Sequence, residues 1–353
     1  MLRIINVSKK IKNFSLNNVS LNVDKGDYFI LSGISGAGKT MLLEIIAGLV
    51  KPDHGEIFLH GRNITREQIR NRSIGLVYQN PTLFSHLTVY ENIAYPLKSK
   101  KLNKKEIDIL VKQLASDTEI SHLLHRNITN LSGGEVQRVT IARTLATKPG
   151  CLLLDEPLSF LDVQLKRGIS SLLRKLNQNG QTIVHVTHDY EEAIAMANKI
   201  AILENGTIVQ TGTLDEVFKN PRSEFAANFI GIKNFYKVIL ADAGNDVLLK
   251  KIEISGKEIR LLSAETSGSQ GYAIIPADHI SISHSPLEAT TLNNFRGTVR
   301  DIIPAKLGFE IIVNTGFDVF VNLSRQTLEE MHLEIGNEIW IHFDAASVKF
   351  IKN

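Results

Sequence analysis

Apolar and polar residues form blocks along the first two thirds of the chain that predict alternating strands and helices. Apolar runs of strand length lie at Asp27–Ser32, Ser73–Tyr78, Leu152–Asp155, Thr182–Val186 and Ile200–Leu203. Stretches of helical character separate most of them, and these are Thr40–Leu49, Lys104–Ser116, Val136–Thr147 and Val163–Asn179. Because buried strands that alternate with helices form a mostly parallel sheet, the pattern predicts an α/β fold.

The chain changes character after Gly231, where short β-type segments begin to alternate with turn residues. The predicted strands are Tyr236–Leu240, Val247–Ile254, Ile259–Leu262, Tyr272–Ile275, Ile280–Ser283, Gly297–Ile303, Phe309–Asn314, Val319–Leu323, Glu338–Phe343 and Ser347–Ile351. Regular short strands are typical of a small barrel or sandwich. We therefore predict an α/β domain over residues 1–231 and a small all-β barrel over residues 232–353.

A faint internal repeat links two parts of the C-terminal region. The segments Gly271–Ser283 and Gly336–Phe350 both have the pattern of a strand, a polar corner and a second strand. Two related halves of one barrel would explain the repeat, and chance similarity is the alternative.

Length, charge and cysteine content narrow the class of protein. A chain of 353 residues, 43% of them hydrophobic and 22% charged, fits a globular protein of two domains. The net charge of +3 is small for this length and gives no indication of a nucleic-acid partner. The single cysteine, Cys151, precedes an apolar run, which indicates a buried thiol and a reducing compartment.

Membrane segments are not expected in this chain. No apolar run approaches the ~20 residues needed to span a bilayer, and the first residues lack the layout of a signal peptide. A chain of this kind that serves a membrane must dock onto a separate membrane protein.

A glycine-rich loop follows the first buried strand of the α/β region and opens the next helix. Its residues are Gly33, Ile34, Ser35, Gly36, Ala37, Gly38, Lys39 and Thr40. The glycines let backbone N–H groups turn inward around a phosphate, and the helix directs the positive end of its dipole there. Lys39 supplies charge for the β- and γ-phosphates, and the hydroxyl of Thr40 suits Mg²⁺. The strand before and the helix after the loop favour a nucleotide site over a plain glycine turn.

Two carboxylates, Asp155 and Glu156, end the apolar strand that begins at Leu152. Asp155 suits the coordination shell of Mg²⁺, through Thr40 or a bound water. Glu156 suits a base that orients the attacking water. A helix N-cap pair is the alternative, but Pro157 directly after them disfavours it.

A second candidate anion site lies at Leu131–Gln137. Ser132 is a good N-cap residue, and Glu135 three residues later completes a capping box. A serine followed by Gly133 and Gly134 at a helix start also forms an anion site, and the two interpretations are compatible. Two phosphate-directed sites in one domain are redundant unless the second serves the nucleotide of another copy.

The ordered set of motifs resembles that of the ATP-binding subunits of ABC transporters. The set comprises GISGAGKT at Gly33–Thr40, Gln79, LSGGEVQ at Leu131–Gln137, LLLDEP at Leu152–Pro157 and THD at Thr187–Asp189. In that family the LSGGE segment closes on ATP held by the opposite subunit. The resemblance therefore implies a P-loop ABC-type ATPase domain and a head-to-tail homodimer with two ATP molecules in its interface.

The resemblance implies roles for several residues that, without the other motifs, would be taken for surface or core residues. Gln79 matches the glutamine that reaches Mg²⁺ and the attacking water, and His188 matches the histidine that contacts the γ-phosphate. Asp162 matches the loop that communicates across the dimer, where the family more often has a small residue than Phe160. Phe14 matches an aromatic residue that often stacks on adenine, and a plain core or surface phenylalanine is the alternative.

The resemblance also implies partners at a membrane. Apolar and aromatic residues over Asn80–Leu97 match the groove that receives a helix of the permease, although they could equally belong to the core. Exporters usually carry membrane segments in the same chain, so the importer type is favoured. We expect a location at the cytoplasmic face of the cell membrane, with a periplasmic or extracellular solute-binding protein as an indirect partner.

Over essentially its whole length the chain is most similar to the ATPase subunits of molybdate/tungstate importers, whose C-terminal domain is a TOBE-like barrel. Among the segments that carry this similarity are KNFSLNNVSLNV, VYQNPTLFSH and LEEMHLEIGNEIWIHFDAASV. An importer ATPase for sulfate, ferric ion, a polyamine or a sugar is the nearest alternative. A soluble ABC ATPase is disfavoured by the short segment between Gln79 and Leu131, and an inactive ATPase by the intact Lys39 and Glu156.

The C-terminal region departs from the oxyanion-binding pattern of that family. A serine-x-arginine-asparagine stretch falls on Thr290, Thr291, Leu292 and Asn293, which puts a leucine at the arginine position. A lysine falls on Asp344 and a serine on Ala346, and the donors that are left are Ser324, Arg325, Thr327 and Ser347. A carboxylate ~4 Å from an anion costs about 4 kcal/mol at an effective dielectric constant of about 20. We therefore expect weak or absent oxyanion sensing.

Overall fold

The computed structural model describes residues 2–100, 102–244, 247–287, 292–305 and 308–352. Within these ranges the chain forms two compact units that divide between Val217 and Phe218. The division into domains at residue 231 stays a prediction. Thr290 and Thr291, to which the oxyanion pattern was aligned, lie outside the described residues.

The N-terminal unit contains an antiparallel sheet formed largely by the start of the chain. Its strands are β1 (Leu2–Ile11), β2 (Phe14–Val23), β4 (His54–Leu59) and β5 (Arg62–Asn63). They lie in the order β2-β1-β4-β5, and β1 and β2 at the start of the chain form an antiparallel hairpin.

A six-stranded sheet forms the centre of the N-terminal unit. Its strands are β3 (Tyr28–Gly33), β6 (Ile74–Val77), β7 (Cys151–Asp155), β8 (Thr182–Val186), β9 (Lys199–Glu204) and β10 (Thr207–Thr213). In the order β10-β9-β3-β8-β7-β6, the pair β9–β10 is antiparallel and the other pairs are parallel. Strands β3, β7 and β8 are buried throughout, which explains their continuous apolar character. The α/β prediction is confirmed.

Helices connect these strands or follow the last of them, and side-chain caps define several of the helix starts. They are α1 (Lys39–Ala47), α2 (Val89–Ala94), α3 (Lys104–Asp117), α4 (Gly133–Leu145), α5 (Val163–Gln178), α6 (Tyr190–Met196) and α7 (Leu214–Lys219). Thr88, Asn103 and Ser132 each begin a capping box with a glutamate three residues later. Helix α4 therefore begins at Gly133, earlier than the expected Val136, because its capping box draws both glycines into the first turn.

The C-terminal unit consists mainly of antiparallel strands in three sheets. The strands are β11 (Phe235–Ile239), β12 (Ala241–Asp242), β13 (Leu249–Ile254), β14 (Lys257–Leu262), β15 (Gln270–Ile274), β16 (Ser281–Ser283), β17 (Leu292–Ala305), β18 (Gly308–Asn314), β19 (Asp318–Leu323), β20 (Glu338–Asp344) and β21 (Lys349–Lys352). The sheet orders are β11-β15-β21, β12-β13-β14 and β16-β20-β17-β18-β19. Two short helices, α8 (Glu224–Phe229) and α9 (Arg325–Glu330), accompany them. The prediction of a TOBE-like, all-β C-terminal region is confirmed.

The faint repeat corresponds to two strand–turn–strand units that pair crosswise. A 3₁₀ turn at Ala277–His279 joins β15 to β16, and another at Ala345–Ser347 joins β20 to β21. Strand β15 pairs with β21, and β16 pairs with β20. The first strand of each unit thus pairs with the second strand of the other, as expected of two related halves.

Each unit has an apolar core of its own. Leu42 and Leu153 belong to the N-terminal core, whereas Ile311 and Ile341 belong to the C-terminal one. Within the described ranges, no helix is both long enough and apolar enough to cross a membrane.

Candidate active site

The glycine-rich loop runs from the end of β3 into α1. Gly36 and Gly38 have φ angles of 81° and 103°, which a residue with a Cβ atom rarely adopts. A Cβ atom at Gly38 would lie 2.6 Å from Cζ of Phe14 and 2.8 Å from Cδ2 of Leu16. The ring of Phe14 therefore lies against the loop, and it also packs on the apolar core. This position is compatible with both sequence interpretations of Phe14.

Lys39 directs its ammonium group into the loop. Its Nζ donates hydrogen bonds to the carbonyl oxygens of Gly33 at 2.7 Å and Ile34 at 2.9 Å. Desolvation lowers the pKa of Lys39, although the negative charges of Glu156 and Asp155 act in the opposite direction. A buried cation at a helix start, surrounded by loop backbone, is suited to bind phosphate oxygens.

Asp155 ends β7 beside the first turn of α1. Its Oδ1 accepts a hydrogen bond from Thr40 Oγ1 at 3.2 Å, and desolvation is the main cause of its raised pKa. The hydroxyl and the carboxylate form an oxygen donor pair of the kind that Mg²⁺ prefers, so these residues fit that ion. In the described part of the chain no three His, Cys, Asp or Glu side chains form a metal-binding group. An Mg²⁺ ion shared with nucleotide phosphates needs only one or two protein carboxylates.

Glu156 stands on a strained backbone at the same strand end. Its φ of 44° lies in the left-handed region, and its N–H donates to the carbonyl oxygen of Val186 at 3.0 Å. Its carboxylate accepts a hydrogen bond from Gln79 Nε2 at 2.9 Å and lies 3.1 Å from Nδ1 of His188. The three candidate catalytic side chains, which are distant in sequence, therefore meet at one carboxylate.

A cavity of about 280 Å³ opens at this carboxylate. Its lining consists of Gln79, Glu156, Ser159, Phe160, Lys166, Thr187, His188, Asp189 and Glu192. Phe160 is 85% exposed and has a φ of 63°, so a second residue in the left-handed region stands at the cavity. Most of the lining is polar or charged, which suits a reaction in which charge develops on phosphate oxygens.

The LSGGE segment and Asp162 are predicted site residues that the described lining of this cavity does not include. Ser132 caps α4, because its Oγ accepts from the N–H of Glu135 at 3.4 Å and its own N–H donates to the Glu135 carboxylate at 2.7 Å. Asp162 caps α5 by accepting a backbone N–H hydrogen bond of 2.9 Å. Ser132, Gly133 and Asp162 are exposed, whereas Gly134 is buried. Within a single copy these residues serve as helix starts.

Sequence reasoning did not single out three polar residues of the cavity: Ser159, Lys166 and Glu192. Ser159 Oγ donates to the carbonyl oxygen of Glu156 at 2.6 Å. A signal existed for Glu192, since it follows the α6 cap Asp189 by three residues, which is the spacing of a capping box. For Lys166 the sequence carries no comparable signal, because its partners lie on another helix.

Comparisons with known proteins agree with the motifs. The ABC transporter family profile matches residues 16–159. The chain is 39% identical, over 99% of both chains, to the molybdate/tungstate import ATP-binding protein of Pyrococcus abyssi. It is 36% identical to the spermidine/putrescine import ATP-binding protein of Protochlamydia amoebophila, over 95% of this chain and 92% of that protein. A dimeric, post-hydrolysis ATP-binding cassette bound to ADP and Pi superposes with a TM-score of 0.55 at 33% identity, covering 61% of this chain and 99% of that one.

Identity at this level over nearly the whole chain shows common family membership. Both relatives named above are import proteins, and the similarity to them extends through the C-terminal all-β unit. The chain therefore belongs to the ATP-binding proteins of ABC transporters, within which it is the ATP-hydrolysing subunit of an importer.

Proposed function

We propose that this importer ATPase energises the uptake of molybdate or tungstate through a separate membrane permease. The observation that carries the proposal is the 39% identity, over 99% of both chains, to a molybdate/tungstate import protein. Import of a polyamine is the alternative, which the relative at 36% identity supports. The proposed location is the cytoplasmic face of the cell membrane, and a solute-binding protein on the other side is an indirect partner.

Glu156 is proposed to act as the base of hydrolysis. It orients a water molecule for attack on the γ-phosphorus, and the bond to the leaving ADP oxygen breaks. The contacts of Gln79 and His188 with its carboxylate support this role because they hold the group at the cavity. In the same proposal, His188 contacts the γ-phosphate and Gln79 the attacking water.

The phosphate loop and its neighbours are proposed to bind Mg·ATP. Backbone N–H groups of Gly33–Thr40 and the ammonium group of Lys39 bind the phosphates. Thr40, Asp155 and Gln79 would hold Mg²⁺, which when bound neutralises charge on the β- and γ-phosphates. Phe14, which lies against the loop, is proposed to contact the adenine.

A second copy of the chain is proposed to complete each nucleotide site. Ser132 and Gly133 at the start of α4 are exposed and are not among the described residues that line the cavity, so they offer an anion site to a second copy. Asp162 is proposed to contact the partner as well. The dimeric state of the similar cassette supports this arrangement.

The variant Glu156→Gln tests the hydrolysis mechanism. We expect the full chain to bind ATP normally but to release phosphate about 1,000-fold more slowly, because general-base catalysis contributes about 10²–10⁴ in rate. Glu191→Gln, a substitution of the same kind at an exposed position on α6, serves as the matched control. Its rate of phosphate release should stay within about twofold of the wild type. Wild-type hydrolysis by Glu156→Gln would contradict the role of Glu156 as base.

Uptake by the complete transporter tests the solute. With the permease in sealed vesicles, we expect ATP to drive tungstate uptake that molybdate inhibits and that sulfate and spermidine do not. The same vesicles with Glu156→Gln should take up no solute, which controls for leakage. ATP-driven accumulation of spermidine instead would establish the polyamine alternative.

The C-terminal unit supports the expectation of weak oxyanion sensing, because its register pairs two of the three departures from the family pattern. Leu292 and Asp344 are direct partners in the ladder between β17 and β20. Oδ1 of Asp344 accepts a hydrogen bond from the N–H of Ala346 at 2.8 Å, and the Asp344 carbonyl accepts one from Ser347 Oγ at 2.7 Å. The carboxylate thus caps the turn at the position where the pattern requires a cation.

Asn293, which matches the asparagine of the family pattern, and the candidate donors Ser324 and Arg325 also have protein partners. The amide of Asn293 accepts from the N–H of Arg260 at 2.7 Å and donates to the Arg260 carbonyl at 3.0 Å. Ser324 caps α9 by accepting from the N–H of Thr327 at 3.0 Å. The guanidinium of Arg325 lies 5.6 Å from the centre of the Phe309 ring. An oxyanion would have to displace these contacts.

A further inference from the structure

Glu192 lies next to the turn Thr187–Asp189, which carries His188. Both oxygens of its carboxylate have polar partners. Its Oε2 accepts a hydrogen bond from Thr187 Oγ1 at 2.7 Å, and Nζ of Lys166 lies 3.5 Å from its Oε1. Only 11% of the side chain is exposed, and desolvation raises its pKa. A carboxylate that is largely buried and has partners on both oxygens has a fixed orientation.

The hydroxyl of Thr187 transmits this orientation to the turn. Its single hydrogen is donated to Glu192, so its oxygen is left to accept the N–H of Asp189 at 3.0 Å. Oδ1 of Asp189 in turn accepts the N–H of Glu192 at 3.3 Å. The residues on both sides of His188 are thus tied to the start of α6, while the imidazole lies 3.1 Å from the Glu156 carboxylate.

Lys166 links the same turn to α5. Its ammonium nitrogen lies 3.5 Å from Oε1 of Glu192 and 3.6 Å from Oδ2 of Asp189. Its backbone N–H donates to the carbonyl oxygen of Asp162, the cap of α5, at 2.9 Å. Lys166, a residue of α5, therefore pairs with both Asp189, the cap of α6, and Glu192 in the first turn of α6.

His185 borders the network on its buried side. Nδ1 lies 2.9 Å from the hydroxyl of Tyr28, and Nε2 lies 3.7 Å from Oε2 of Glu192. Among the described residues Nε2 has no hydrogen-bond partner. Burial lowers the pKa of His185 to about 3, so the ring is neutral, and the tautomer with a proton on Nε2 directs that proton toward Glu192.

We propose that Glu192 is a positioning residue for ATP hydrolysis, which together with Lys166 fixes the Thr187–Asp189 turn so that His188 faces Glu156. Its described hydrogen bonds and ion pairs are with residues other than Glu156, so it acts through His188. The inference rests on the proposed roles of Glu156 and His188. Loss of the Glu192 charge should slow hydrolysis more than it weakens ATP binding, since Glu192 contacts the turn and not the phosphate loop.

The variant Glu192→Gln, made in the full chain, tests the proposal. Glutamine keeps the size and can still accept from Thr187, but it loses the attraction to Lys166. We expect kcat for ATP to fall about tenfold and KM to change less than twofold, because small displacements of catalytic groups cost about 10–10² in rate. Lys166→Gln, which removes the same link from a more exposed position, should lower kcat in the same way. Glu191→Gln is the matched control and should stay within about twofold.

A double-mutant cycle that combines Glu192→Gln with His188→Ala distinguishes a positioning role of Glu192 from a purely structural one. In single-turnover phosphate release, Glu192→Gln should cause no further loss when His188 is already absent. A tenfold loss in both backgrounds, or a wild-type kcat for Glu192→Gln and Lys166→Gln, would overturn the inference while the proposed function stands. Wild-type hydrolysis by His188→Ala itself would refute the proposed role of His188 and the inference with it.

Discussion

The phosphate loop, with Asp155 beside it, and the neighbouring ends of β17 and β20 both contain polar side chains, but these side chains have opposite roles. Beside the phosphate loop, burial lowers the pKa of Lys39 and raises that of Asp155, so the fold does not fully offset the desolvation of either charge. In the C-terminal unit, Asn293 and Asp344 direct their polar atoms to backbone groups of their own fold. Charges whose desolvation the fold does not fully offset indicate a ligand site, whereas polar groups bonded to backbone indicate a structural role.

The largest change that this comparison predicts is the loss of ATP affinity in the variant Lys39→Ala. ATP affinity should fall about 1,000-fold, because two contacts of a cationic donor with phosphate oxygens contribute about 1.5–3 kcal/mol each. Binding of a fluorescent ATP analogue measures it, and the exposed Lys51→Ala is the matched control. Affinity within about threefold of the wild type would mean that the buried ammonium group serves the loop backbone and not the nucleotide.

In the C-terminal unit, Asn293→Ala should lower the stability of the fold and leave ligand binding unaffected. The change removes hydrogen bonds to the N–H and carbonyl of Arg260 and a longer one of 3.4 Å to the carbonyl of Phe343. We expect a loss of about 3 kcal/mol in the free energy of unfolding of this unit, at about 1 kcal/mol for each bond. The only tryptophan of the chain, Trp340, lies on β20 and reports the transition by fluorescence during urea unfolding.

The exposed Asn322→Ala is the matched control for this measurement and should change the free energy by less than about 0.5 kcal/mol. ATP hydrolysis by Asn293→Ala should stay within about twofold of the wild type. If stability were unchanged while tungstate binding was lost, Asn293 would belong to a ligand site and the contrast between the two regions would fail.

Two buried histidines extend the comparison to pH. Burial lowers the pKa of His185 to about 3, whereas the imidazole of an unfolded chain titrates near 6.5. The unfolded state therefore binds more protons between these values, and stability falls as the pH is lowered through that window. Between pH 7 and pH 5 the loss from His185 should be about 2 kcal/mol.

The variant His185→Gln should flatten this pH dependence, which urea unfolding followed by the helical circular dichroism signal can measure. The exposed His54→Gln is the control that should leave the pH dependence as it is. In the C-terminal unit, His342 has bonding partners on both ring nitrogens, Ser283 and Asn294, and burial lowers its pKa as well. An unchanged pH dependence in His185→Gln would show that this ring does not stay neutral in the folded unit.

The parts of the site that lie in consecutive residues could be predicted from the sequence. The loop at Gly33–Thr40 needs only its own glycines and a strand and helix on either side, and strand β8 has the predicted bounds Thr182–Val186. Both depend on local backbone geometry and on continuous burial. Local patterns of this kind leave a direct trace in the sequence.

Features that depend on tertiary contacts could not be predicted in the same way. The left-handed φ of Glu156 and the link from Lys166 to α6 require the end of β8 and a second helix. Strand β17 begins at Leu292 and not at the expected Gly297, because pairing with β20 draws polar residues into the strand. Polar positions that gain ladder partners are not recognisable from hydrophobic alternation.

Substitutions of Asp344 should give the smallest stability changes, and they test most selectively whether the polar groups of the C-terminal unit have a structural role. Its carboxylate is the N-cap of the turn Ala345–Ser347, so Asp344→Ala should cost about 1 kcal/mol of stability, whereas Asp344→Asn, which keeps a capping oxygen, should cost less than about 0.5 kcal/mol. Trp340 fluorescence measures both. Asp344→Asn therefore removes the negative charge while the turn is retained, which makes it the variant to titrate with tungstate.

Calorimetric titration with tungstate, using sulfate as the control, should detect no binding by the wild-type C-terminal unit and none by Asp344→Asn. The variant removes about 4 kcal/mol of repulsion at most, but it supplies no cation, and a leucine still stands at the position directly opposite in the ladder. Binding by Asp344→Asn alone would mean that one charge had switched off an otherwise intact oxyanion site. Tight binding by the wild type would mean that bonds to the protein's own backbone do not prevent these donors from serving a ligand, and the distinction between the two regions would then be one of degree.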